Sequence, residues 1–178
     1  MKIDLAFRID TELLQLRFQT DPSLTGRSEA TLTRRLSHVT IHLAPGADWD
    51  SPERQRWLND ILAEQLRIQA KAILPSRLDE MARRFDLRYH GVTIKRMHTR
   101  WGSCSELGNI NLSLWLMLAP AHLVDYVIKH ELAHLNEMNH GPRFWAELDR
   151  MTGGRARQLE REMKQFARSL FAQRGRLR

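Results

Sequence analysis

The 178-residue chain has a single cysteine, Cys104. No internal disulfide can form, so a packed core must hold the fold, and nothing points to an oxidising compartment. No apolar run reaches the length needed to span a bilayer. Met1-Lys2-Ile3-Asp4 lacks the apolar core of a signal peptide, so the expected location is cytoplasmic, with no membrane partner. There is no repeat, no low-complexity linker and no glycine-rich phosphate loop. At this length the expectation is a single domain, 1–178, with a strand-rich part at 1–46 and a helical part that carries the chemistry at 47–178.

Acidic residues are also short, 21 against 28 basic ones. Nearly all of the excess lies in residues 154–178, which hold eight basic and two acidic side chains. There Leu159, Met163, Phe166 and Leu170 fall on one helical stripe. Arg155, Arg157, Arg161, Lys164 and Arg168 cover other faces, and Arg174, Arg176 and Arg178 form a basic tail. Such a helix attracts acidic partners, nucleic acid included. It equally fits a solvated face with cations near a helix C-terminus. No aromatic residue is interleaved for base stacking, which favours the solvated face.

What the chain does have is His130-Glu131-Leu132-Ala133-His134, followed by His140. Two His four apart on a helix project from one face, so their imidazoles can share one Zn²⁺. Glu131 is placed where its carboxylate reaches water at the site. Leu123, Val127, His130 and His134 lie at 3–4 spacing, with Val124, Ile128 and Leu135 widening the stripe. The two His therefore extend a buried helix face, where their nitrogens need a partner that a metal supplies. With His140 the set is three protein ligands and one open position, the pattern of a catalytic zinc site. Zn²⁺ is the expected cofactor, although imidazoles also suit nickel, cobalt or iron.

The spacing to His140 is that of the metzincins, but Glu137 stands where those proteins need glycine, and Met151 is too weak a sign of their Met-turn. Residues 136–142 read as a helix end and a new start, with Asn139 suited to the left-handed region, Gly141 to a cap and Pro142 to a first turn. His140 is then expected on the connection between two helices.

Elsewhere the pattern is mixed. Ile3, Leu5, Phe7 and Ile9 alternate as a half-buried strand, Leu14, Leu16 and Phe18 begin a second, 21–26 is loop, and His38–Leu43 is a third. His38 and His42, four apart on a strand, are about 13 Å apart and cannot share an ion. Ser51-Pro52-Glu53 opens a helix with Trp57, Ile61, Leu62 and Ile73 among its apolar positions, and Pro75 is expected to end it. Ser76 and Asp79 resemble a capping box for another helix reaching about Phe85. Residues 91–100 and 109–113 read as an antiparallel pair leading to the His helix. The fold class is α+β, with an antiparallel sheet packed by helices.

Several blocks together resemble one known family. Ile94-Lys95-Arg96-Met97-His98-Thr99-Arg100-Trp101-Gly102-Ser103-Cys104-Ser105, Gly108-Asn109-Ile110-Asn111-Leu112, Tyr126 through Leu135, Asn139-His140 and Phe144-Trp145 match, in order and spacing, the YgjP-like metallopeptidases. Val39-Thr40-Ile41-His42-Leu43-Ala44-Pro45 is similar to that family's N-terminal strand and Pro turn. The family is related to the SprT-like proteases, so the resemblance implies a zincin core with an active-site helix. It implies His130, His134 and His140 as metal ligands and Glu131 as catalytic base. Met151-Thr152-Gly153-Gly154 departs from the family pattern, which leaves the boundaries of a helix over 145–170 open.

Further candidates stand around this motif. Arg96 and Arg100 are candidate substrate or oxyanion contacts. Tyr126, one turn before His130, is a candidate supporting or substrate-binding residue. Cys104 with His98 could form a nucleophile and base, but Trp101-Gly102-Ser103-Cys104 reads better as packing and a turn, with Cys104 a small buried residue. The expected activity is peptide hydrolysis at zinc, the peptide lying along 92–100 if that strand is an open edge. The alternatives are hydrolysis of nucleotide phosphoanhydrides at the same site, and a nucleic-acid-associated module bound through the basic C-terminal helix.

Overall fold

The computed structural model describes residues 1–25, 30–46, 48–97 and 99–175, with side chains given up to 170. His98, Gly26, Arg176 and Arg178 lie outside the described residues, as does the side chain of Arg174, so the Cys104–His98 pairing and the basic tail are not placed.

Strands β1 (Arg8–Asp10), β2 (Gln15–Thr20), β3 (Ala30–Arg35) and β4 (His38–Leu43) form a sheet in the order β1-β2-β4-β3. β2 pairs β4 in parallel and the other neighbours are antiparallel. Leu16, Phe18, Val39, Ile41 and Leu43 point into the core, the period-two pattern expected of a half-buried strand. The expected strand from Ile3 shrinks to Arg8–Asp10. Asp4 accepts hydrogen bonds from the Ala6 and Phe7 N–H groups, which turns the chain and leaves Leu5 exposed. Ile3 is bonded instead to Gln55, through its N–H at 2.9 Å and its carbonyl at 2.6 Å. β3 had no readable signal, because its only large apolar residue, Leu32, is exposed.

α1 runs unbroken from Pro52 to Arg84. Ser51 caps it, its Oγ accepting from Arg54 N–H at 3.1 Å. Leu58, Leu62, Leu66, Ala70, Leu74, Leu78 and Ala82 recur every four residues and are all buried, whereas Trp57, Ile61 and Ile73 are only partly covered. This stripe carries the helix through Pro75, where a stop was expected. The carbonyl that Pro75 leaves without a donor belongs to Lys71, which faces solvent. Ser76 sits inside the helix, its Oγ donating to the Ile73 carbonyl at 3.0 Å, so no second cap forms there.

A second sheet has the order β5-β7-β6, formed by β5 (Gly91–Lys95), β6 (Gly102–Cys104) and β7 (Asn109–Ser113). β5 and β7 are parallel, not the antiparallel pair expected, and the antiparallel partner of β7 is β6. Gly102–Cys104, expected as part of a turn, is thus a strand in its own right, with Trp101 just before it. A 3₁₀ turn (Leu114–Leu118) leads to α2 (Ala121–Ala133), then α3 (Pro142–Thr152) and α4 (Ala156–Gly175). Gly153 and Gly154, at φ of 65° and 76°, break the expected 145–170 helix in two. The fold is α+β, and each sheet mixes parallel with antiparallel pairing.

α2 is fixed at two points in its N-terminal part, Ala121 and Asp125. Glu12 accepts from the Ala121 N–H at 3.1 Å, filling a donor at the helix start that has no partner within the helix. Arg77 of α1 grips both oxygens of Asp125. Leu123, Val124, Val127, Ile128 and Leu132 bury its other face. No helix among the described residues is long and apolar enough to cross a membrane.

Candidate metal centre

His130 lies in the last turn of α2 and His134 is its C-cap residue. His140 lies on the link to α3, as expected. Gly141 caps α3 in extended backbone and Pro142 opens it; Asn139 does not take the left-handed conformation. One ring nitrogen from each of the three His lies within 4.8 Å of the others. His130 Nε2 and His140 Nε2 are 3.1 Å apart. Phe144, fully buried, packs against all three rings at centroid distances of 4.9, 4.6 and 4.6 Å.

The donor chemistry fits a metal. Burial, reinforced by the charges of His134 and His140, pushes His130 down to about 3, and burial also lowers His134. Neutral imidazoles present lone pairs to a cation. His134 Nδ1 lies 3.1 Å from the Glu137 carbonyl, which fixes that nitrogen as the donor and leaves Nε2 free to ligate. Nδ1 of His130 is buried with no hydrogen-bond partner among the described residues, and the ring packs against Phe144. The cluster lies within ligand distance and is consistent with a Zn²⁺ site.

Glu131 is buried, and burial pushes its carboxyl up to about 8, opposed only by the charge of Arg100. It faces β6, where Gly102 makes room for it. A cavity of about 520 Å³ opens over the cluster. Its walls come from β6 and the residues before it (Arg100 to Cys104), from α2 (Tyr126, Val127) and from α4 (Glu160, Met163, Lys164, Ala167). The Ser113 N–H bonds the Trp101 carbonyl and the Ser105 N–H bonds the Asn109 carbonyl. Residues 101, 103 and 105 therefore turn their backbone groups toward β7, and Gly102 and Cys104 turn theirs outward at the sheet edge.

Of the remaining candidates, Arg100 and Tyr126 line the cavity. Arg96 does not; it is ion-paired to Asp60 of α1 at 3.2 Å and lies over Trp115. Residues 92–95 form the opposite edge of the sheet from β6, so the edge that walls the cavity is not the one expected. Cys104 is half-buried on the wall, and burial with the Glu131 charge pushes its thiol up to about 11. Sequence reading missed the contributions of Gly102, Met138, Met163, Glu160 and Lys164. Only Gly102 carried a signal, since glycine inside a strand marks a close approach.

The profile of a family described as YgjP-like, metallopeptidase domain, matches residues 26–166. Two solved structures are similar over about half of the chain, both metallopeptidase zymogens. Abylysin of Pyrococcus abyssi is 22% identical, covering 51% of this chain and 91% of its own, with a TM-score of 0.46. Jannalysin of Methanocaldococcus jannaschii is 23% identical, covering 49% and 90%, with a TM-score of 0.43. No curated protein matches the chain.

Proposed function

The chain belongs to the YgjP-like metallopeptidase family, and from that membership and the geometry we propose a zinc-dependent peptidase in which His130, His134 and His140 hold the metal and Glu131 is the general base. The observation that carries this is the convergence of three imidazole nitrogens within 4.8 Å beside a buried carboxylate. Bound Zn²⁺ supplies Lewis acidity for the scissile carbonyl and lowers the pKa of water. Glu131 takes the proton of the attacking water on a carboxylate oxygen and delivers it to the leaving amine nitrogen. Burial raises the affinity of this carboxyl for a proton, and a cation held beside it would oppose that rise and favour the carboxylate that accepts the proton.

Substrate binding falls to the cavity walls. The outward N–H and C=O groups of Gly102 and Cys104 offer main-chain hydrogen bonds to an extended peptide, which adds to the sheet at β6. Arg100, exposed on the rim, approaches the developing oxyanion or a substrate carboxylate. Tyr126, whose hydroxyl burial holds protonated, is an uncharged hydrogen-bond donor lining the same cavity. Trp101, Val127, Met138, Met163 and Ala167 give the cavity a mainly apolar surface, which suits a peptide with an apolar side chain next to the cleaved bond.

The test is direct. The purified chain with one equivalent of zinc is incubated with a mixed peptide pool, and the products are read by mass spectrometry beside Glu131→Gln. Cleavage that needs both zinc and Glu131 supports the reading. Cleavage that survives in Glu131→Gln, or no cleavage by a fully zinc-loaded protein, rejects it.

A further inference from the structure

His140 is carried differently from the other two imidazoles. His130 and His134 sit one turn apart at the end of α2, and the helix itself sets their separation. His140 is exposed and lies on the short link to α3, where no regular backbone ladder fixes it. Its Nε2 nonetheless stands 3.1 Å from that of His130. Something else must hold the link.

The candidate is Trp145. Its indole Nε1–H donates to the His140 carbonyl oxygen at 3.1 Å, a side-chain bond that ties the link to the first turn of α3. Trp145 is itself held on two sides. Phe144, the residue beneath all three imidazoles, meets it edge-to-face at 5.4 Å. On the other side the guanidinium carbon of Arg157 lies 3.4 Å from the ring centroid. Arg157 is in the first turn of α4, and its Nη1 is 3.3 Å from Glu160 Oε2. Glu160 is bonded in turn to Lys164 at 2.7 Å, and both line the cavity. A row of contacts thus runs from the basic face of α4 to the backbone of the third imidazole.

We propose that Trp145 and Arg157 are positioning residues for His140. Arg157 clamps the indole, the indole N–H fixes the His140 carbonyl, and the imidazole is held ready beside His130 and His134. Arg157 thereby has a task apart from the rest of the basic helix. The inference rests on the three-His reading of the metal centre.

The test measures zinc affinity of the full chain by chelator competition, with the visible spectrum of the cobalt-substituted protein as a second readout. Trp145→Phe keeps the ring for Phe144 and Arg157 but removes the N–H. It should weaken zinc binding about tenfold, the lower end for groups that orient metal ligands, and alter the cobalt bands. Arg157→Gln should weaken binding by a smaller factor, and Arg157→Lys should recover part of it. In a His140→Ala background neither substitution should cost anything further. Unchanged zinc affinity in Trp145→Phe overturns the proposal and leaves the metal centre standing. An equal loss with and without His140 also overturns it, because the effect is then on the fold at large. A wild-type chain that binds no zinc overturns the metal centre and this proposal together.

Discussion

A side chain at Gly102 would occupy the space of Glu131: a Cβ built there stands 2.5 Å from Oε1, 2.7 Å from Cγ and 2.8 Å from Cδ of the glutamate. The edge strand and the metal-site helix come this close only because residue 102 has no side chain. The Glu131 side chain thus lies against β6 at Gly102, in space that only a glycine leaves open.

Gly102→Ala therefore acts on catalysis through Glu131. The three His lie outside the clash, so zinc should be retained at one per chain. Displacing the base by about 1 Å should lower turnover by about 10²-fold. Metal analysis together with steady-state kinetics on a cleaved peptide checks this. Near wild-type turnover would mean that Glu131 yields without losing its position.

Glu131→Gln keeps size and hydrogen bonding but cannot take a proton. Zinc should again be retained, with turnover down by about 10²–10⁴-fold. If Gly102→Ala and Glu131→Gln act on the same group, combining them should cost little beyond Glu131→Gln alone. Additive losses would give Gly102 a separate role, such as the backbone contact to substrate at β6.

The metal centre was legible because its signal is local. Helical spacing of His130, Glu131 and His134 fixes their relative geometry before any tertiary structure is known. His140 was legible from the helix-stop residues around it. Three features were not. β3 is exposed along nearly its whole length, so no alternation marks it. Pro75 reads as a helix stop, and only the buried four-residue ladder from Leu58 to Ala82 overrides it. The pairing of 91–95 with 109–113 depends on β6 intervening in the chain, which makes β5 and β7 parallel. That misreading moved the expected substrate edge to the far side of the sheet.

Removing the metal should lower stability. A ligand that binds only the folded state stabilises it by about 2.7 kcal/mol when present at 100 times its dissociation constant. Chelated protein should therefore melt at a lower temperature than the zinc-loaded form. His130→Ala and His134→Ala should abolish tight zinc binding, and His140→Ala should weaken it. Their melting temperatures should then respond little to added zinc. A full zinc-dependent shift in His130→Ala or His134→Ala would place the ion elsewhere.

Cys104 should be a poor nucleophile despite lining the cavity. Burial and the charge of Glu131 push its thiol up to about 11, so below that pH it is protonated and unreactive. Alkylation by iodoacetamide should be slow at neutral pH and should rise toward pH 11. Cys104→Ser should keep most of the peptidase activity. Complete loss of activity in that variant, with zinc and fold intact, would restore the cysteine to the mechanism.

The C-terminal helix separates into an apolar face, a clamp and a wet face. Leu159, Met163 and Leu170 are buried, so Leu159→Ala should destabilise the protein by about 2–4 kcal/mol in urea unfolding. Arg161 and Arg168 are exposed on the opposite side. Reversing both to Glu should change stability by no more than about 0.5 kcal/mol. Cleavage of a small neutral peptide should also survive, because neither residue lines the cavity or touches Trp145. Any affinity for acidic partners should fall on reversal, most visibly at low salt, where screening is weakest. Equal binding of a nucleic acid by the reversed and wild-type proteins would reduce this face to solvated surface. Adding Arg157→Glu to the pair should lower zinc affinity, because that side chain alone of the three stacks on the indole that holds His140. The charge of α4 would then divide between solvent and the metal centre according to which arginine reaches Trp145.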